Sequence, residues 1–84
     1  MREKLHQIAE EQGKSIIFAD GYDLALLGYI TPDDEEWLVS VYDAEKIVNI
    51  MVTEGMDEDE AWEYFFYNIS GAYVGKGTPC YINC

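Results

Sequence analysis

An α+β domain is the fold class this sequence predicts. It comprises two long helices, about 44–54 and 58–74, packed on a small sheet of short strands, about 15–19, 37–42 and 80–83, with a short N-terminal helix over 3–12. Three observations predict it. Two stretches hold apolar residues at helical spacing, and brief β-branched and aromatic runs are bounded by turn residues. The chain is also 49% hydrophobic and 14% aromatic, a content that disordered chains lack. Its 84 residues are read as one domain, 1–84.

In the first helix Leu5, Ile8 and Ala9 share a face, and Gly13 is the stop. SIIFA, 15–19, is a brief apolar strand, followed by the Asp20-Gly21 turn signal. The next run, YDLALLGYI (22–30), has two readings. Tyr22, Ala25 and Leu26 fit a helical turn capped by Asp20 and ended by Gly28, the reading favoured here; Leu24, Leu26 and Ile30 fit a strand. TPDDEE (31–36) is a loop and WLVSVY (37–42) a strand.

Asp43 caps the helix 44–54. Ala44, Ile47, Val48, Ile50, Met51 and Val52 cover a wide arc, which marks a largely buried helix. Gly55 takes the position after its end, where positive φ is needed. A second helix starts at Asp57, with Glu60 three residues on as a capping box and Met56 and Ala61 as a staple. Ala61, Trp62, Phe65, Phe66, Ile69, Ala72 and Tyr73 form its apolar stripe, which predicts a helix continuing through Gly71 to Val74 and ending at Gly75. Asn68 lies at the edge of that stripe and is expected to bond neighbouring backbone. Thr78-Pro79 leads into the last strand.

The glycines of NISGAYVGKGTP (68–79) therefore follow a helix, at its negative end. A phosphate loop needs them before one, and no GxxxxGK[ST] is present. His6 is the one histidine, expected to face solvent. Cys80 and Cys84 do not have zinc-site spacing. In an extended segment their Cα atoms lie about 13 Å apart, beyond disulfide reach. No EF-hand pattern occurs, and Ser15, Ser40 and Ser70 lack a His–Asp arrangement for a triad. The expectation is a protein without catalysis, cofactor or metal.

Charge is the strongest functional signal. Seventeen acids against five bases give a net charge of −12. Such a chain repels nucleic acid and anionic membranes, and it favours basic partners. The two helices resemble a helix-turn-helix in outline, but Asp57, Glu58, Asp59, Glu60 and Glu63 at the start of the second would be repelled by phosphates, so no direct nucleic-acid binding is expected. Acids in a first helical turn are also stabilised by the helix dipole. That accounts for part of 57–60, but not for the second run at 33–36 or for Glu10 and Glu11. The start, MREKLHQIAEEQGKS, does not read as a signal peptide, and no apolar run approaches about 18 residues. A cytoplasmic protein follows as the expectation.

From Val41 onwards the chain resembles a family of short uncharacterised proteins common in phages and related bacterial genomes. The likeness rests on VYDAEKIVNIM (41–51), EGMDEDEAWEYFFYN (54–68) and GAYVGKGTP (71–79), about half the chain. The family pattern is YD before a helix, GM before an acid-rich EA helix, and GAYVG-x-x-TP. The resemblance implies a phage or mobile-element setting, hence host cytoplasm, and no mechanism.

These readings converge on a non-catalytic acidic binding protein, a phage accessory or counter-defence factor that occupies a basic, nucleic-acid-binding surface of a host protein. The residues assigned to partner binding are Asp33, Asp34, Glu35, Glu36, Asp59, Glu60, Glu63 and Tyr67. The alternative is a structural or regulatory module that dimerises through exposed aromatics such as Tyr67, with charge serving solubility. Either reading allows a monomer or weak homodimer.

Overall fold

The computed structural model describes residues 1–83, so the expectation for Cys84 lies outside the described residues. The chain is α+β: three helices accompany a mixed sheet of three short strands. Helix α1 spans Arg2–Glu11. A single 3₁₀ turn, Asp23–Ala25, leads into β1, Leu26–Ile30. Strand β2, Val39–Asp43, runs into α2, Ala44–Thr53. Helix α3, Glu58–Tyr64, widens into a π-helical turn, Phe65–Ile69, and β3 is Cys80–Ile82. The sheet order is β1-β2-β3, with β2 antiparallel to β1 and parallel to β3.

Helix α2 forms as its sequence dictates. The Asp43 carboxylate accepts from the N–H groups of Glu45 (3.0 Å) and Lys46 (3.3 Å), satisfying donors that a helix start leaves free. Ala44, Ile47, Val48 and Met51 are buried, and Gly55 follows at φ 110°. The 22–30 stretch divides between its two readings: one turn of helix, then a strand. Asp20 does not cap the turn. It accepts instead from Arg2 Nη2 at 3.0 Å, while Asp23 accepts from Nη1 at 3.2 Å, which ties α1 to this turn.

Three expectations are corrected. Residues 15–19 form no strand; their ladder contact is a parallel bridge between Ser15 and Trp37. The rest of the segment is bound by side chains from the sheet. Ser40 Oγ donates to the Ile17 carbonyl at 2.6 Å, and the Tyr42 hydroxyl accepts from the Ala19 N–H at 2.8 Å. Leu38, Ser40 and Tyr42, alternate residues that share one face of the strand, are all fully buried. The Ile17 carbonyl and the Ala19 N–H are therefore paired without a strand partner. Trp37 is drawn into the bridge with Ser15, and regular β2 begins at Val39.

The second correction is at the start of α3. The Asp57 side chain makes no cap bond, so the expected capping box is not closed. Met56 does pack on the core that contains Ala61.

The third is where that helix ends. It stops at Ile69, not Val74, and Tyr73 is 78% exposed. The Thr78 hydroxyl accepts from the Val74 N–H (3.0 Å) and donates to the Gly75 carbonyl (2.6 Å). These local bonds give the backbone an alternative to another helical turn. Asn68 is exposed. Gly75 has φ 109°, as the sequence requires of it, but in this loop and not at a helix end. Open space surrounds its absent Cβ, so Gly75→Val should cost more than about 1 kcal/mol through backbone conformation alone. A chemical denaturation midpoint equal to the parent's would contradict that origin.

One hydrophobic cluster joins the elements. Tyr42, Ile47, Val48, Met51, Ala61 and Phe65 form its centre, with Leu5 from α1 and Leu26 from β1. Tyr81 of β3 lies edge-on to Phe65 at 5.5 Å and tilted against Tyr42 at 5.8 Å. No helix among the described residues is long and apolar enough to cross a membrane.

Candidate functional site: the acidic face of α3

Helix α3 packs on α2 and buries Ala61, with Phe65 and Ile69 continuing that line into the π turn. The opposite side carries Asp59, Glu60, Glu63 and Tyr67, all exposed. Asp59, Glu63 and Tyr67 follow one another at four-residue steps, so they stack along one helical face. Met56, Glu60, Glu63, Tyr64, Tyr67 and Asn68 line an open depression on this surface. Tyr67, 78% exposed, shares this depression with the carboxylates of Glu60 and Glu63, and Phe66 is 60% exposed. Phe66 is stacked on Trp62 at 5.7 Å.

The basic side chains are placed elsewhere. Arg2 pairs with Asp20 and Asp23, and Lys76 with Asp34 at 3.6 Å. His6, exposed as expected, has its Nε2 3.1 Å from Glu10 Oε1. Among the described residues, no ion pair involves Asp57, Glu58, Asp59, Glu60 or Glu63. Their field is therefore uncompensated at close range. Raising NaCl from low to moderate concentration should raise Tm, because screening weakens like-charge repulsion. A flat or falling Tm would mean that the charges are too far apart to matter.

The other acidic run sits on the connection between β1 and β2. Asp33, Glu35 and Glu36 are exposed there. Asp34 differs, its side chain being only 17% exposed. It accepts from the N–H groups of Glu36 (2.8 Å) and Trp37 (3.2 Å), an Asx turn. The Glu36 bond foremost, with Lys76 close by, holds its carboxyl below the usual range. Asp34 is thus committed to shaping its own loop. No hydrogen bond or ion pair among the described residues joins 33–36 to α3, and the eight residues assigned from sequence lie on two elements, the β1–β2 connection and α3 with its π turn.

Sequence reasoning missed a second depression, next to the first. Tyr22, Met51, Glu54, Met56, Glu60 and Tyr64 line it, bringing together the turn before β1, the end of α2 and the outer side of α3. Burial pushes the Tyr22 phenol pKa up, and the nearby Tyr64 and Glu54 add to the shift. No local pattern announces this grouping, because it depends on how three elements pack. Among the described residues, no three His, Cys, Asp or Glu side chains gather closely enough to hold a metal ion. Comparison with protein-family models, curated proteins and solved structures finds no match to this chain.

Proposed function

We propose that this chain is a non-catalytic acidic binding protein that occupies a basic, nucleic-acid-binding surface of a partner protein, as a phage accessory or counter-defence factor acting on a host protein in the host cytoplasm would. The observation that carries the reading is the density of unpaired charge on α3. Asp57, Glu58, Asp59, Glu60 and Glu63 span six residue steps, or about 9 Å of helix axis at ~1.5 Å per residue. That is a mean axial spacing of roughly 2.2 Å per charge, of the same order as the spacing of about 1.7 Å per charge along duplex DNA with both strands counted. A groove of Lys and Arg arranged for phosphates would meet Asp59, Glu60 and Glu63 on the outward side of the helix, with Tyr67 as an aromatic contact and Asp57 and Glu58 adding charge around the helix start. Asp33, Glu35 and Glu36 extend the acidic surface elsewhere, and the chain itself is repelled by nucleic acid.

A second reading is favoured by the exposure of Phe66, Tyr67 and Tyr73: self-association through these aromatics. The two readings differ in the sign of their salt dependence. Two copies each carrying −12 repel, so salt strengthens a homodimer, whereas it weakens attraction to a basic partner. The test is capture of partners on immobilised protein, followed by elution with NaCl or with duplex DNA. Release of a basic nucleic-acid-binding protein by both supports the proposal. Partners that resist both, or a mass that doubles with salt, overturn it.

A further inference from the structure

We propose that the groove between Tyr22, Glu54, Glu60 and Tyr64 receives an arginine side chain of a basic partner segment. The proposal rests on the reading above only in taking the partner to be basic. Two tyrosines border this groove, one half-buried (Tyr22) and one 43% exposed (Tyr64). Its floor is apolar and soft, formed by Met51, 4% exposed, and the half-buried Met56. Glu54 and Glu60 stand at its edge, exposed and without an ion pair among the described residues.

Aromatic faces, an apolar floor and free carboxylates together suit a flat organic cation. A guanidinium stacks on a tyrosine ring, lays its methylenes on the methionines and bonds a carboxylate with two parallel N–H groups. A lysine ammonium has no plane to stack and no fork to pair. A metal ion needs converging ligands, which are absent among the described residues. A second copy of the chain would bring its own excess of negative charge. The groove also shares Met56, Glu60 and Tyr64 with the depression that runs on past Glu63 to Tyr67. An extended basic segment seated along α3 would therefore put one side chain in the groove and the next beside Glu63.

The test uses the whole chain and capped hexa-arginine, hexa-lysine and hexa-citrulline peptides, titrated calorimetrically at low ionic strength. Hexa-arginine should bind at least about fivefold more tightly than hexa-lysine, with hexa-citrulline weakest, because only the guanidinium both stacks and forks. Tyr64→Leu should weaken hexa-arginine by about fivefold, whereas Tyr64→Phe, which keeps the ring face, should stay within about twofold. Glu54→Gln, at an exposed position, should weaken it by about threefold or more. Equal affinity for arginine and lysine peptides, no measurable binding of hexa-arginine, or indifference to Tyr64→Leu and Glu54→Gln each overturn the proposal. If those variants are silent while charge reversal at Asp59 and Glu63 weakens binding, the groove assignment fails and the mimicry reading survives. If the groove variants behave as expected but duplex DNA does not release the captured partner, mimicry fails and the arginine site stands.

Discussion

Tyr42→Ala should remove about 3–5 kcal/mol of stability, the usual range for deleting a buried aromatic ring. Single domains have roughly 0.05–0.15 kcal/mol per residue in total, or about 4–13 kcal/mol for a chain of this length, so the loss is a large share of the whole. Tyr42 is fully buried, lies 5.8 Å from the Tyr81 ring, and accepts from the Ala19 N–H at 2.8 Å. Tyr42→Phe separates the two contributions. It keeps the ring but leaves that N–H without a partner, at a cost of about 1–3 kcal/mol. Amide hydrogen exchange should then show Ala19 losing protection ahead of α2. If Tyr42→Phe is as stable as the parent, the segment 16–19 is not held by side chains of the sheet.

Gly77→Val should cost about 3 kcal/mol, the upper part of the range for overpacking. A Cβ at Gly77 would overlap Trp37 Cε3 and sit 2.7 Å from Cζ3, closer than real Cβ contacts come. The Trp37 backbone is held by the Asp34 turn, and Lys76, beside Gly77, pairs with that same Asp34. The variant should shift the emission of Trp37, the residue that is overlapped. In a Trp37→Leu background the cost should shrink by more than half, since the clash is with the indole, giving a coupling of about 1.5–2.5 kcal/mol. Full additivity would place the damage in the Gly77 backbone instead.

These two sites also show what could be read in the sequence and what could not. Helix α2 was legible because the Asp43 cap, the apolar arc and Gly55 all point the same way. The apolar character of 15–19 was equally visible. Its failure to become a strand was not, because Ser40 and Tyr42, which bind its backbone, lie 23 residues away in sequence. The end of α3 was missed because Ala72 and Tyr73 happen to continue the helical period, while Thr78 closes the competing loop. The outward face of Asp59, Glu60, Glu63 and Tyr67 followed from periodicity alone. Asp34 carried a legible warning: an Asp in a Pro-containing loop readily turns its carboxylate onto the N–H groups that follow. The groove of Tyr22, Glu54 and Tyr64 had no such signal, since its members come from three elements.

The charge on α3, in the function proposed above, serves partner recognition and not solubility alone. The most direct measurement is the affinity of the Asp59→Lys, Glu63→Lys double variant for the captured basic partner, with and without competing duplex DNA. Both residues face away from the core, so the fold should be retained, with a stability change of about 1 kcal/mol or less. Affinity should fall more than about tenfold, because two attractive contacts become repulsive. The parent complex should be displaced by DNA and weakened by salt. Unchanged affinity in the folded double variant, with no displacement by DNA, would contradict the account and leave the acidic surface to solubility.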